Sequence, residues 1–371
     1  MNASPERIMY MALELGNREW KLAFTVPGGK VRLRSMPARQ LDRLLAEMRV
    51  AKEKLGLAAE ARVRSCYEAG RDGFWIHRWL AGQGVENVVV DSASIEVNRR
   101  LRRAKTDRLD AQSLAGRLVR HWEDTAEGKR WSVVHVPAEA DEDARRPRRE
   151  TERLTGEQTA HAARIRSLLV LHGVVVKKLS RQAVLNAKDW AGRELPAATR
   201  AELARELDRL EMVREQLGKL EQTQKETLKK PTTAGGRAGA KLERLKSLGL
   251  ATALTLGNEF FGWRNFQNRR QVGACAGLTG TPYDSGGQRR EQGISKAGNR
   301  WVRHLMVEQA WRWLHWQPQS ELARWFRERF GVGGARLRRV GIVALARKLL
   351  VAFWKYVAFD IVPAGAVLKK A

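Results

Sequence analysis

The stretch IMYMALELGNREWKLAFTVPGGKVRLRS, residues 8–35, decides the fold of the front of the chain. Three apolar or alternating runs follow one another in it, at 8–15, 20–26 and 30–35. A Gly-Asn pair separates the first two runs and Pro-Gly-Gly separates the last two, and both are turn sequences. Short runs divided in this way predict consecutive antiparallel strands.

The sequence after these strands alternates between helical and strand patterns. It predicts helices at 38–56 and 74–82, strands at 61–68 and 85–91, and a long basic helix from about 105 to 122. Three strands followed by alternating helix and strand indicate an α/β domain built on one mixed sheet.

From about residue 145 charged residues surround apolar ones at near-heptad spacing, namely Leu203, Leu207, Leu210, Val213, Leu217 and Leu220. This stripe predicts a long helical arm that packs on another helix, either of the same chain or of a second copy in a coiled-coil dimer. The composition PTTAGGRAGA predicts a flexible linker, and a mainly helical segment follows it. The predicted domains are therefore 1–140, the arm at 141–230, the linker at 231–240, and 241–371.

Net charge indicates the class of partner. Lys and Arg number 69 against 41 Asp and Glu, which gives a charge of +28. Because this charge is spread over segments with folded-looking patterns, a nucleic acid is favoured over a ribosomal role or an acidic membrane surface.

The two cysteines, Cys66 and Cys275, support neither a disulfide framework nor a zinc ribbon. The sequence has no signal-peptide pattern at its start. The apolar run 349–359 is too short to span a bilayer and predicts a buried helix. A cytoplasmic protein without a membrane partner is expected.

Acidic residues at four places form a candidate metal site. In AKTDRLDAQ, residues 104–112, Asp107 and Asp110 share one face at a helix start. Such pairs are common on solvated helices, but a mixed sheet could bring Glu14 and Glu68 to the same point, although Glu14 could also face solvent. Four carboxylates that hold divalent cations serve phosphoryl transfer.

These acids lie in recognisable motifs. Lys-Thr-Asp-Arg-Leu-Asp-Ala at 105–111 and Cys-Tyr-Glu-Ala at 66–69, after an acid in the first strand, resemble the DEDD transposases of bacterial insertion sequences, now described as bridge-RNA-guided recombinases. The resemblance implies a ribonuclease-H-like (RuvC-like) domain that holds Mg²⁺ or Mn²⁺. The implied metal ligands are Glu14, Glu68, Asp107 and Asp110. Glu14 departs from the family pattern, which usually has Asp at this position.

A second match lies in the third segment. Ala-Gly-Leu-Thr at 276–279, Tyr-Asp-Ser-Gly-Gly at 283–287 and Ile-Ser-Lys-Ala-Gly-Asn-Arg at 294–300 resemble the transposase domain of the same family. The resemblance implies that Ser285 is the nucleophile. No histidine lies in the motif, which argues against a hydrolase-type triad, and a carboxylate-bound metal is the candidate activator if the two domains meet.

Other interpretations of the second match remain open. Without the resemblance, Asp-Ser-Gly-Gly is typical of a flexible turn. Ser295 is the rival nucleophile, but its surroundings favour a helix cap.

Basic residues near both motifs are predicted to contact a nucleic-acid backbone, namely Lys105, Arg108, Arg289, Arg290, Lys296, Arg300 and Arg303. Four tryptophans could stack on RNA bases, although core packing is favoured, namely Trp311, Trp313, Trp316 and Trp325. The scattered histidines do not indicate a metal site.

The family resemblance implies a recombinase that cuts and rejoins DNA through a phosphoserine link. Its implied partners are donor and target double-stranded DNA, a structured non-coding RNA, and further copies of the chain, as a dimer and as a tetramer in the synaptic complex. A bacterial, nucleoid-associated location follows. Two alternatives are a metal-dependent, structure-specific nuclease that uses water, and a non-catalytic nucleic-acid-binding relative, which the departure at Glu14 motivates.

Overall fold

A computed structural model describes residues 7–91, 107–123, 131–285 and 288–369. The chain divides into two compact units, Met1–Val136 and Pro137–Ala371. The helical arm and the C-terminal segment, predicted as separate domains, therefore belong to one unit.

The first unit is built on a five-stranded mixed sheet in the order β3-β2-β1-β4-β5. Its strands are β1 (Met9–Leu15), β2 (Glu19–Thr25), β3 (Arg32–Pro37), β4 (Val63–Glu68) and β5 (Glu86–Val90). Its helices are α1 (Leu41–Lys54), α2 (Trp75–Gly82) and α3 (Asp107–Glu123). β1, β2 and β3 pair antiparallel, whereas β4 runs parallel to β1 and β5 parallel to β4. The predicted α/β domain on one mixed sheet is confirmed.

The central strand β1 is buried on both faces, which explains its nearly continuous apolar sequence. Met9, Met11 and Leu13 pack in one core cluster with residues of α1 and α2. Tyr10 and Ala12 point to the opposite face and pack with residues of α3. Because side chains alternate along a strand, one sequence supplies both cores.

The second unit is mainly helical. Its helices are α4 (Glu139–Asp143), α5 (Arg146–Val170), α6 (Arg181–Leu185), α7 (Ala197–Lys229), α8 (Ala234–Glu243), α9 (Leu250–Leu256), α10 (Arg269–Cys275), α11 (Arg300–Trp316), α12 (Glu321–Phe330) and α13 (Ala335–Phe359). A π-helical turn, Gly257–Phe261, continues α9. The end of α13 is buried at Leu349, Leu350 and Phe353, as predicted for this apolar run.

The leucine stripe of the arm packs within the chain. Leu203, Leu207 and Leu210 of α7 are buried in a cluster with Ile165 and Leu169 of α5. Val213 is also buried, whereas Leu217 and Leu220 are half-buried. The stripe therefore has its partner helix in the same chain along its first part.

The prediction of a flexible linker at 231–240 is wrong, because α8 occupies most of this segment. Thr233 caps the helix by accepting a hydrogen bond from the N–H of Gly236 at 3.0 Å. Gly235 and Gly239 let α8 pack directly on the π-helical turn, since a Cβ on Gly235 would lie 2.3 Å from Asn258 Oδ1. The glycines that suggested flexibility serve close helix packing instead.

One hairpin interrupts the helices of the second unit. Its strands are β6 (Gly280–Ser285) and β7 (Gln288–Ile294), which pair antiparallel. The sequence did not predict these strands. Among the described residues, no helix has the length and apolar character needed to cross a membrane.

Candidate active site

Two of the predicted metal ligands lie at the same level near the ends of neighbouring parallel strands. Leu13 of β1 is opposite Tyr67 of β4, so Glu14 and Glu68 are the next positions along the two strands. Glu14 is half-buried and Glu68 is exposed. Parallel strands end at the same edge of a sheet, and the two acids therefore share its carboxyl edge.

The same two acids also share one face of the sheet. Ala12 and Cys66 belong to the cluster that packs on α3. Glu14 and Glu68 follow them by two residues, so side-chain alternation places both acids on the face covered by α3.

Helix α3 runs antiparallel to β1 on this face. The Tyr10 hydroxyl near the start of β1 donates a hydrogen bond to the carboxylate of Glu123 at the end of α3. Ala111 near the start of the helix packs in the same cluster as Ala12. The beginning of α3, with Asp107, therefore lies towards the carboxyl edge of β1.

The helix start carries the other two predicted ligands. Asp110 is half-buried one turn into α3, and Arg108 beside it is exposed. The side chain of Asp107 and the whole of Lys105 lie outside the described part of the structure. The described side chains contain no group of three or more His, Cys, Asp or Glu close enough to hold a metal. The four-carboxylate metal site stays a prediction.

Asp91 is a further acid at this edge that the sequence prediction did not include. Val90 of β5 is opposite Glu68, and Asp91 follows directly. The Asp91 N–H donates to the carbonyl of Ser132 at 2.9 Å, which ties the end of β5 to the chain after α3. The position of Asp91 directly after the apolar run Val-Val-Val is the sequence feature that could have indicated an acid at the end of a strand.

Ser285 is the last residue of β6, at the tip of the hairpin. Its backbone is paired with Gln288. Asp284 and Ser285 therefore belong to a strand and not to a free turn, while Gly286 and Gly287 lie outside the described residues. The side chains of Ser285, Arg289 and Arg290 lie outside the described part as well, so their predicted roles stay predictions.

The segment after the hairpin is fixed by backbone hydrogen bonds. Ser295 N–H donates to the Thr279 carbonyl at 2.8 Å and Asn299 N–H donates to the Cys275 carbonyl at 2.8 Å. Asn299 is the N-cap of α11, because its Oδ1 accepts from Val302 N–H at 3.0 Å. The predicted helix cap is confirmed, and Asn299 supplies it.

The predicted basic contacts near the hairpin have different surroundings. Lys296 and Arg300 are exposed. Arg303 is half-buried, and its Nη1 donates to the carbonyls of Ala276 at 3.2 Å and Lys296 at 2.9 Å. Arg303 therefore holds the segment after the hairpin to the end of α10.

A groove of about 1160 Å³ lies at the base of the hairpin, next to Gly280 and Gly293. Its floor is aliphatic, with Val343 and Val351 of α13 among its members. The described basic residues that line it are Arg269, Arg270, Lys296, Arg339, Arg347, Lys348 and Lys355, and the described acid is Glu321. The sequence analysis predicted only Lys296 of these residues as a nucleic-acid contact. The Arg-Arg pairs at 269–270 and 338–339 were the sequence feature that could have indicated the others.

The four tryptophans do not behave as one set. Trp313 is fully buried and Trp325 packs partly against the same core. Trp311 and Trp316 are 46% and 48% exposed. Core packing is confirmed for the first pair, and the exposed pair remains available for stacking.

A family model described as the Transposase IS116/IS110/IS902 family matches residues 239–324, which include the hairpin. A candidate transposase of Sinorhizobium fredii, y4rJ, is 38% identical over 382 residues, covering 97% of this chain and 94% of its own. A second from that organism, y4qE, is 28% identical over 249 residues, covering 66% of this chain and 57% of its own. A candidate family 20 transposase of Pseudomonas aeruginosa is 28% identical over 165 residues, covering 43% of this chain and 46% of its own.

Proposed function

The chain belongs to the IS116/IS110/IS902 family of transposases, and from that premise we propose that it cuts and rejoins DNA through a covalent link to Ser285. The observation that supports the proposal is the parallel pairing of β1 with β4, which brings Glu14 and Glu68 to one level, together with the packing of α3 on the same face of the sheet. We further propose that the first unit is ribonuclease-H-like, with which its mixed sheet is compatible.

The acids at the carboxyl edge fit a divalent cation in their chemistry. Glu14, Glu68, Asp107 and Asp110 offer carboxylate oxygens, which Mg²⁺ and Mn²⁺ prefer as ligands. Adjacent strands lie about 4.8 Å apart, so two acids at one level and on one face can share an ion. A cation held there would stabilise negative charge on the phosphate oxygens during phosphoryl transfer.

Ser285 supplies the nucleophile in the proposed reaction. Its Oγ attacks the phosphorus of a DNA phosphodiester, the Ser285 Oγ–P bond forms, and one P–O bond to deoxyribose breaks. The serine gives up its proton and the departing sugar oxygen gains one. Attack on the phosphoserine by a sugar hydroxyl of another strand reverses this exchange and joins that strand.

The proposal requires the carboxylates and Ser285 to act on one phosphate, either within one chain or between copies in a dimer or tetramer. Backbone pairing with Gln288 holds Ser285 at the end of β6, next to the hairpin tip. The basic groove at the hairpin base supports contact with the backbone of DNA, or of a structured RNA that guides the reaction.

Trapping of the protein–DNA link tests the function. Wild type, Ser285→Ala, Ser295→Ala and Asp107→Asn are incubated with labelled element-end DNA, co-purified RNA and Mg²⁺, and denatured. Wild type and Ser295→Ala should give a protein–DNA adduct, whereas the other two variants and samples with a chelator should give none.

The two alternatives predict different results in this experiment. A nuclease that uses water would cut DNA with and without Ser285 and leave no adduct. A non-catalytic relative would bind the DNA and RNA but leave every strand intact. Either result contradicts the proposed phosphoserine reaction.

A further inference from the structure

A cluster of arginines surrounds the π-helical turn of the second unit. Four of them come from the start of α5 and from the segment after the turn, namely Arg145, Arg148, Arg149 and Arg264. Two have acidic partners. Arg149 binds the buried Glu259 carboxylate with two hydrogen bonds, of 2.5 and 2.8 Å, and Arg148 pairs with Glu152 at 3.2 Å.

Arg145 has no such partner. It is only 7% exposed, and its Nε is buried without a hydrogen-bond acceptor. No ion pair within 4.0 Å joins it to a carboxylate among the described residues. A buried guanidinium nitrogen without an acceptor is costly, because it has lost its hydration. The carboxylates of Glu259, Glu142 and Asp141 attract the charge from a distance, but none of them accepts a hydrogen bond from this nitrogen.

Arg145 shares an aromatic ring with a second arginine. The guanidinium carbons of Arg264 and Arg145 lie 3.8 and 5.1 Å from the centroid of the Trp263 ring. One nitrogen of Arg264, Nη1, donates to the backbone carbonyls of Glu259 and Phe260 in the π-helical turn. Two like charges are thus held close together, and burial lowers the pKa of both guanidinium groups.

The start of α5 adds to the positive potential. Arg145 is its N-cap, the first turn carries no acid, and Arg148 and Arg149 follow. The N-terminal end of a helix already carries positive partial charge. Cationic side chains placed there are destabilising, whereas a bound anion would be stabilising. π-Helical turns are themselves frequent at functional sites.

From the buried Arg145 Nε that lacks an acceptor, the neighbouring Arg264 and the start of α5, we propose that Arg145 and Arg264 form an oxyanion pocket that binds one phosphate group of a nucleic-acid strand. An oxyanion placed between the two guanidinium groups would receive charged hydrogen bonds and remove their repulsion. Planar guanidinium groups suit phosphate because they can donate two parallel hydrogen bonds. That the phosphate belongs to a nucleic acid rests on the proposed function. That the two arginines bind an oxyanion does not depend on it.

Arg145→Met tests the pocket because it removes the buried charge and keeps the length of the side chain. The matched control, Arg205→Met, removes one exposed charge from α7, outside the pocket. Three quantities are measured on the full chain: the melting temperature without nucleic acid, the melting temperature with inorganic phosphate against chloride at equal ionic strength, and the affinity for co-purified RNA and element-end DNA over a range of salt.

The expected result separates stability from binding. Arg145→Met should melt at the same or a higher temperature than wild type, while it binds nucleic acid roughly 10- to 100-fold more weakly. Its salt dependence should lose about one unit of slope, as for one lost phosphate contact. Inorganic phosphate should raise the melting temperature of wild type but not of this variant. Arg205→Met should lose much less affinity.

Three outcomes overturn the proposal. A lower melting temperature with unchanged affinity makes Arg145 a packing residue. An affinity loss equal to that of Arg205→Met reflects net charge alone. Stabilisation by inorganic phosphate without any change in nucleic-acid affinity makes the ligand a free anion.

A second variant covers a failure of Arg145→Met to fold. Arg145→Lys keeps the charge but loses the planar guanidinium group that donates two parallel hydrogen bonds. It should weaken nucleic-acid binding by a smaller factor than Arg145→Met does, and the salt dependence of binding should stay as in wild type. Unchanged affinity in this variant counts against the pocket. All of these readouts are independent of the serine adduct, so the pocket and the strand-joining reaction can fail separately.

Discussion

The hydroxyl of Tyr10 and the carboxylate of Glu123 join the first strand of the chain to the last turn of α3. Arg64 Nη1 donates to the same hydroxyl oxygen at 3.0 Å. These contacts anchor one end of α3, and the opposite end of the helix carries Asp107. The tyrosine therefore helps to orient the helix that supplies two of the proposed metal ligands.

Tyr10→Phe should lower the free energy of unfolding by about 1–2 kcal/mol, because it removes a hydrogen bond to a charged group and leaves Glu123 without this donor. Urea denaturation at pH 7 measures the change. Phe keeps the apolar ring, so Tyr10→Ala serves as the packing comparison and should cost about 3–5 kcal/mol. Equal stability of the Phe variant and wild type would show that the contact contributes nothing.

Glu14→Asp should keep strand cleavage, because the carboxylate is retained. Glu14→Gln should lose roughly 100-fold or more in rate, because an amide cannot supply the negative charge of a metal ligand. Single-turnover cleavage of element-end DNA with Mg²⁺ measures both rates. A Gln variant that cuts as fast as wild type would remove Glu14 from the proposed site.

Asn299→Ala should destabilise the second unit by about 1 kcal/mol, because the N–H of Val302 at the start of α11 loses its side-chain acceptor. Thermal unfolding followed by circular dichroism provides the measurement. Ser295→Ala is the matched control and should stay within about 0.5 kcal/mol of wild type. A larger loss of stability for Ser295→Ala than for Asn299→Ala would show that Asn299 is not the residue that caps α11.

Glu206 should make the stability of the arm depend on pH. Burial acts to raise the pKa of this carboxyl, but hydrogen bonds from His161 and Arg164 outweigh it and hold the pKa below its usual range. A depressed native pKa means that the ionised form stabilises the fold. This stabilisation is complete well above the unfolded pKa of about 4.3 and is lost as pH falls through the lower native value.

Glu206→Gln tests this pH dependence by urea denaturation at pH 7, 5 and 3.5. At pH 7 the variant should be less stable by about 1–3 kcal/mol, since the buried carboxylate gives up its charged hydrogen bonds with His161, Arg164 and Arg209. The difference should shrink between pH 5 and 3.5. Glu215→Gln removes an exposed carboxylate of the same helix and should change little at any pH. A difference for Glu206→Gln that is constant over pH would exclude the ionised carboxylate as its cause.

Local patterns predicted the elements of the first unit well. Strands β1 to β5 and helices α1 to α3 begin and end within a few residues of the predicted bounds. Period-two and helical spacing are properties of neighbouring residues, and the turns between them are encoded by Gly, Pro and Asn. The order of acidic motifs was likewise readable without a structure.

The second unit shows what the sequence pattern left open. The glycines of α8 predict a linker from the sequence, because nothing local shows the π-helical turn that packs against Gly235 in the helix. The polar β6–β7 hairpin has little apolar alternation to reveal it. Trp313 and Trp316 lie in the same helix, and only the neighbouring helices decide that the first is buried and the second exposed.

By itself the sequence determined the mixed sheet, the helical second half, the basic character and the family motifs, because each of these rests on residues close together in the chain or on composition. The tertiary structure alone decided that Glu14 and Glu68 lie at one level near the ends of adjacent strands, that α3 begins towards the same edge, and that Arg145 is buried beside Arg264. These relationships join residues far apart in sequence, and they depend on strand register and helix direction, which side-chain packing sets after the elements have formed.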